Sequence, residues 1–214
     1  MTRRNTRELI LQTSLNLFNT LGEPAVTTNH IADEADISPG NLYYHFNSKQ
    51  DIIVELFKRF VAQFDPIIDV PADSALEAND LWFQLHLSFE IKGQYRFLYR
   101  NLADITGRVP DLERAFRALF HRERQAAGEI LAGLERRGAL KIEPTERELL
   151  LGNLMLVLTY WIPYADQFVT HGMDDGSVQT RAIAGVLQLV IPYLRDPERE
   201  EFSALTRAYL EHAD

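Results

Sequence analysis

Along residues 6–21 apolar side chains recur every three or four positions. Ile10, Leu11, Leu15, Leu17, Phe18 and Leu21 share one side with Ser14, which predicts an amphipathic helix capped by Asn5 and stopped by Gly22. A shorter period follows over residues 28–35, where Ile31 and Ala35 lie four apart and a small Ala32 allows a close helix crossing. Ser38 is a good N-cap and Pro39 an expected first helical residue, so a second short helix is predicted over 39–46. Asp36 and Ile37 make the turn between them; Asp36 stands where Gly is common, but Asp tolerates the left-handed conformation.

On a wheel of 3.6 residues per turn, Pro39, Leu42, Tyr43 and Phe46 fall on one face of this helix, and Gly40, Asn41, Tyr44 and His45 on the other. Leu42 and Phe46 anchor it, while the second face is polar and suited to a DNA groove. Gly40 lets a backbone approach closely, and the helix N-terminus behind Ser38 suits a phosphate.

The remaining pattern is helix after helix. Ser48 caps a helix over 49–64 that ends near Pro66, and Ser74 to Glu77 and Thr145 to Glu148 fit the capping box. Asp196-Pro197 reads as a cap and first-turn proline. Helices are expected near 75–92, 97–105, 110–137 with Gly138 as the stop, 146–169, 177–194 and 197–212. No alternating strand or Asn-Gly hairpin breaks the series, so the fold expected is all-α with nine or ten helices. The seam is expected at 66–72, giving a helix-turn-helix domain over 1–48, a connecting helix over 49–66, and a body over 67–214.

The segments TRELILQTSLNLFNTLG, TTNHIADEADISPGNLYYHF and NSKQDIIVELF, spanning residues 6–57, resemble the TetR family of one-component transcriptional regulators. LYYHF followed by two residues and Lys, an upstream IA-x-x-A and a first helix ending LF-x-x-x-G form a specific combination. The resemblance implies a three-helix DNA-binding domain, a helical effector-binding and dimerisation domain, and a twofold dimer on a pseudo-palindromic double-stranded operator. A ligand-responsive regulator, most often a repressor, is the function expected. Candidate DNA contacts are Arg3, Arg4, Thr28, Asn29, Ser38, Gly40, Asn41, Tyr43, Tyr44, His45 and Lys49. Asn41 and Asn29 are placed to reach base edges, and Thr28, Tyr43 and Lys49 suit phosphates.

The apolar helices near 146–169 and 177–194 are expected to close a four-helix bundle with a second copy. The run over 149–164 is short for a bilayer and contains Asn153 and Pro163, so burial between subunits is preferred to a membrane span. For a small-molecule effector, Gln84, Phe89, Tyr99, Phe116, Phe120, Asn153, Tyr160 and Tyr164 are the candidate pocket residues, an apolar set with a few polar groups.

Composition narrows the alternatives. The 214 residues suffice for a sizeable core, 46% are hydrophobic, and no cysteine is present, which excludes disulfides and thiol chemistry and fits a cytoplasmic location. MTRRNTRELI has no apolar run, so no export signal is expected there. A net charge of −9 opposes DNA binding if spread evenly. It is not spread evenly: residues 1–60 hold six Lys and Arg against seven Asp and Glu, and residues 61–214 hold sixteen against twenty-four. Arg3, Arg4 and Arg7 cluster at the start, where they can meet phosphates.

An enzyme is not expected. None of the six histidines follows a Glu by three residues, His86 and Glu90 lie four apart on one helix face and read as a polar pair beside a core face rather than a shared metal site, and no phosphate loop, dinucleotide fingerprint or nucleophile elbow occurs. No metal or cofactor is expected. The competing class is a helical ligand-binding or scaffold dimer that does not read DNA.

Overall fold

The computed structural model describes residues 3–69, 78–168 and 175–211, with backbone alone at 3, 4, 78, 79, 175 and 209. The all-α expectation holds. The described residues form eleven α-helices: α1 Arg3–Leu21, α2 Thr28–Glu34, α3 Pro39–His45, α4 Lys49–Ile68, α5 Ala78–Gln94, α6 Arg96–Arg100, α7 Leu102–Arg108, α8 Pro110–Arg136, α9 Pro144–Phe168, α10 Asp175–Val190 and α11 Glu198–Glu211. Single 3-10 turns lie at Glu23–Ala25 and Ile191–Tyr193, and a lone antiparallel bridge pairs Leu140 with Leu194.

Several boundaries differ from expectation, each for a local reason. α1 begins at Arg3, so Asn5 lies inside the helix rather than capping it. α4 runs through Pro66 to Ile68, where the buried Ile67 and Ile68 and a hydrogen bond from Asp69 N to Asp65 O (2.9 Å) hold the last turn despite the donor that proline lacks. The helix expected over 97–105 is two helices, broken at Asn101, whose backbone (φ −115°, ψ 25°) is not helical. α9 starts at Pro144, one residue before the expected cap, and the side chain of Glu146 accepts from the backbone N of Glu143 (3.4 Å). Pro197 precedes α11 and its carbonyl accepts from Glu200 and Glu201, so it stands outside the first turn. The expected cap Ser74 lies outside the described residues.

The chain divides into two compact units, Met1–Gln63 with Gln94–Phe116, and Phe64–Gly93 with Arg117–Asp214. In the first, Phe18 of α1 packs on Phe97 at 5.1 Å between ring centroids, and Phe60 of α4 meets Tyr95 and Tyr99 at 5.6 and 5.9 Å. Asn19 stitches α1 to α6 by donating to Gln94 O and accepting from Phe97 N. In the second, Leu131 and Leu134 of α8, Leu150, Leu151, Leu154 and Leu158 of α9, and Ile183, Val186 and Leu187 of α10 form one buried cluster.

α9 is long and apolar enough to cross a membrane by length and composition alone, but its apolar residues are partly buried within the chain and partly exposed. Leu150, Leu151, Leu154, Leu158 and Ala165 are buried, whereas Leu149, Leu156, Tyr160, Tyr164 and Phe168 are exposed.

Two helix ends use the same stop. After α8, Gly138 (φ 76°) donates to Glu135 O and Ala139 to Leu134 O; after α2, Asp36 (φ 51°) donates to Asp33 O and Ile37 to Ala32 O. Both are Schellman motifs, in which a left-handed residue lets two amides satisfy the last carbonyls. At Asp36 a side chain occupies that conformation, which Asp tolerates and a β-branched residue does not. Asp36→Val is expected to lower stability by more than about 1 kcal/mol, while Asp36→Gly stays within about 0.5 kcal/mol. Urea unfolding of both variants checks this, and a neutral Asp36→Val result would remove the motif from the account of the turn.

Candidate functional site

The α2–α3 pair is held from inside. Ile31, Ala32, Ala35, Leu42 and Phe46 are buried, Thr27 Oγ1 accepts from His30 N (3.2 Å), and Ser38 Oγ accepts from Asn41 N (3.2 Å). Outside, Asn29, Ser38, Gly40, Asn41, Tyr43 and Tyr44 are exposed and His45 is half-buried. The Tyr44 and His45 rings meet edge to face at 5.2 Å.

Tyr43, which the wheel puts with the anchors, is 47% exposed, and its hydroxyl lies 3.0 Å from Thr28 Oγ1. That bond ties the two short helices across their outer surface, and each hydroxyl keeps capacity for a further partner. A Cβ added at Gly40 would meet nothing nearer than Ser38 Oγ at 4.0 Å, so nothing inside the chain requires glycine there. Of Arg3 and Arg4 the backbone lies in the first turn of α1; their side chains lie outside what is described.

Lys49 is used inside the protein. Its ammonium donates to Glu23 O and Val26 O at 2.9 Å each, and Glu23 Oε1 lies 2.8 Å away. Glu23 has no solvent exposure, and its Oε2 accepts from Arg108 Nη2 at 2.6 Å. The three donors of Lys49 therefore have three protein oxygens around them, and the segment entering α2 is clamped to the first turn of α4. Neighbouring cations brace the same unit. Arg7 stacks over Phe46 at 5.0 Å and pairs with Glu55 at 3.1 Å. Arg59 forks onto both oxygens of Glu8 at 2.6 Å, and these hydrogen bonds hold the Glu8 carboxyl below its usual range against the opposing push of partial burial.

The second unit contains an apolar cavity of about 110 Å³, lined by residues that include Ile67 and Ile68 from the end of α4, Leu81, Gln84 and Ser88 from α5, Glu123 and Ala127 from α8, Leu154 and Leu158 from α9, and Val186 from α10. The Gln84 side-chain amide donates to Ile67 O, fastening α5 to the last turn of α4. Lys92 and Glu123 form a buried ion pair beside it, and Lys92 Nζ also donates to Leu158 O (3.0 Å).

Among the residues expected to line a pocket, Gln84 does so. Phe89 is buried in the second unit's core, while Tyr99 and Phe116 pack on one another (6.4 Å) in the first unit. Phe120 and Tyr160 flank an open groove, and Asn153 and Tyr164 are exposed. Aromatic content misled because these rings belong to different cores and surfaces. The polar groups that do line or border the cavity, Ser88, Lys92 and Glu123, carried a readable signal: Glu123 falls on the apolar stripe of Phe116, Leu119, Ala127, Leu131 and Leu134 at helical spacing.

Two short helices with a buried inner face, a left-handed turn and an exposed polar outer face, followed by a helical body, define a helix-turn-helix protein. Residues 10–56 match the family model for bacterial regulatory proteins of the tetR family, and residues 59–202 match the model described as TetR, bacterial transcriptional repressor. The chain belongs to the TetR family. A solved TetR-family transcriptional regulator from Marinobacter aquaeolei VT8 is 36% identical, covers 98% of this chain and 99% of its own, and superposes with a TM-score of 0.88. The HTH-type transcriptional repressor KstR2 of Mycolicibacterium smegmatis is 36% identical over 111 residues, 50% of this chain and 54% of that protein. The chain spans about half the length of the curated relative it matches there. The structure of ketosteroid transcriptional regulator KstR2 of Mycobacterium tuberculosis, 19% identical over 89% of this chain and 95% of its own with a TM-score of 0.64, shares the fold.

Removing Lys49 leaves the buried Glu23 carboxylate with Arg108 as its remaining cation. Lys49→Met is therefore expected to lower stability by about 2 kcal/mol, less than the loss of a buried pair with no substitute. Urea denaturation reads this directly, and an unchanged midpoint would return Lys49 to the surface role expected from its sequence position.

Proposed function

We propose that this chain is a ligand-responsive transcriptional repressor that binds a pseudo-palindromic double-stranded DNA operator as a homodimer and releases it when a small effector occupies the cavity of the second unit. The observation that carries the reading is α3: its inner face is buried, its start is capped by Ser38, and Gly40, Asn41 and Tyr44 stand exposed with no internal use for the glycine. Asn41 suits an adenine edge in the major groove, and Thr28, Ser38 and Tyr43 suit phosphates. Arg3 and Arg4 add cations at the start of the chain. His45 and Asn29 complete the reading set. Residues 1–48 are the reader, 49–66 the connection, and 67–214 the effector-binding and dimerisation part. The work is regulatory rather than catalytic, needs no cofactor, and takes place in the cytoplasm.

The dimer rests on α9. Leu149, Leu156, Tyr160, Tyr164 and Phe168 recur along it at helical spacing and are each half or more exposed, a contiguous apolar stripe that a lone subunit leaves in water. A second copy packing the same stripe, with α10 alongside, closes a bundle and sets two readers about 34–36 Å apart, one turn of DNA.

The effector acts through α4. This helix is continuous from Lys49, clamped under the reader, to Ile67 and Ile68, which line the cavity. An occupant that prefers the arrangement in which the readers are wrongly spaced lowers DNA affinity in proportion to that preference.

Selection of duplexes from a random pool is expected to enrich a palindrome; failure to enrich any sequence across salt concentrations would favour a scaffold dimer that does not read DNA. On the enriched duplex, Tyr44→Ala is expected to weaken specific binding by about 1–3 kcal/mol and to leave non-specific binding in place. Leu156→Glu is expected to shift the protein to monomer in light scattering at micromolar concentration, and a dimer that persists would move the interface away from α9.

A further inference from the structure

The cavity of the second unit is apolar except for a few polar groups, and two of them are unsatisfied acceptors. Among the described residues, Glu123 Oε2 and Gln84 Oε1 are buried atoms with no hydrogen-bond partner, and both residues line the cavity together with Ser88. Glu123 is 4% exposed. Its Oε1 is held by Lys92, whose ammonium also donates to Leu158 O and lies 5.1 Å over the ring of Phe64. The ion pair fixes the carboxylate in place and balances its charge, and the second oxygen, buried at the wall of the cavity, has no hydrogen-bond partner.

We propose that the cavity takes a compact, neutral, apolar molecule bearing a hydroxyl group, an alcohol or a phenol, whose O–H donates to Glu123 Oε2 beside Gln84. This rests on the reading of the cavity as the effector site and goes beyond it by naming the chemistry of the occupant. The volume of about 110 Å³ limits the occupant to one small ring or a short branched chain, since it lies below the roughly 150 Å³ of a dry cavity that accepts benzene. The polarity follows from the acceptors, because a buried lone pair gains most from a donor. The neutrality follows from the ion pair. A carboxylate would face Glu123 with like charge, and an ammonium would leave an uncompensated positive charge among leucines and isoleucines.

The position of the site links its occupant to α4. Gln84 reaches Ile67 O in the last turn of that helix, and Lys92 lies over Phe64 three residues earlier. A hydroxyl compound that engages Glu123 and Gln84 therefore touches one side chain that holds the end of α4, Gln84, and the ion-pair partner of another, Lys92.

Calorimetric titration of the full chain with phenol, fluorobenzene and benzoate tests the proposal. Phenol is expected to bind about tenfold or more tightly than fluorobenzene, the margin of one hydrogen bond to a charged acceptor, and benzoate is expected to bind least. In a Glu123→Leu, Lys92→Met double variant, which keeps the site uncharged and filled, the preference for phenol over fluorobenzene should vanish while fluorobenzene still binds. If that variant does not fold by circular dichroism, Gln84→Leu takes its place and should shrink the preference several-fold. Equal affinity for phenol and fluorobenzene, as when a water already satisfies the acceptors, overturns the proposal, and so does a preference for benzoate or no binding of any probe. Release of the enriched operator duplex is scored separately. Phenol that binds with the expected preference but does not release DNA supports the hydroxyl site and overturns the effector reading on which it rests.

Discussion

A carboxylate sealed from water underlies the reader. Glu23 sits in the short connection between α1 and α2 with no solvent exposure, and it is tolerable there because Lys49 and Arg108 bring cations to both of its oxygens. Charge buried in this way adds little net stability, but it makes one arrangement far better than its neighbours, since any shift that parts the groups leaves an uncompensated ion. The α2–α3 pair buries Ile31, Ala32, Ala35, Leu42 and Phe46, apolar contacts that carry no polar register of their own. Its placement against α1 and the first turn of α4 therefore depends on this cluster and on the carbonyls of Glu23 and Val26 that Lys49 holds.

The second unit repeats the device with one difference. Lys92 and Glu123 are again a buried Lys–Glu pair, again with the ammonium donating to a backbone carbonyl. Around Glu23 both carboxylate oxygens have cations, whereas at Glu123 one oxygen is left unpartnered at the wall of a cavity. The same chemistry thus braces the entry to α2 in one place and stands at the wall of a cavity in the other.

The helix α4 is a single run from Lys49 to Ile68 that proline at position 66 does not stop. Its first turn belongs to the clamp and its last turn to the cavity. Its continuous backbone hydrogen bonds resist bending along that length.

The helices, the left-handed turn at Asp36, the stop at Gly138, the cap at Ser38 and the exposed face of α3 were legible in the sequence. They are set by interactions within a few residues, where spacing and side-chain type decide the geometry. Boundaries went astray where a distant burial outweighed a local signal, as when Ile67 and Ile68 carry α4 past Pro66. Long-range partnership was not legible. That Lys49 turns inward to Glu23, that Tyr43 faces outward to Thr28, that Tyr99 and Phe116 pack in one core while Tyr160 stands in water, and that Glu123 keeps a lone oxygen beside a cavity are decided by which helices meet. By itself the sequence determined a helical chain with a reader face; only the tertiary structure decided which charges are spent holding it and which acceptor is left over, because pairing energies depend on groups that lie tens of residues apart along the chain.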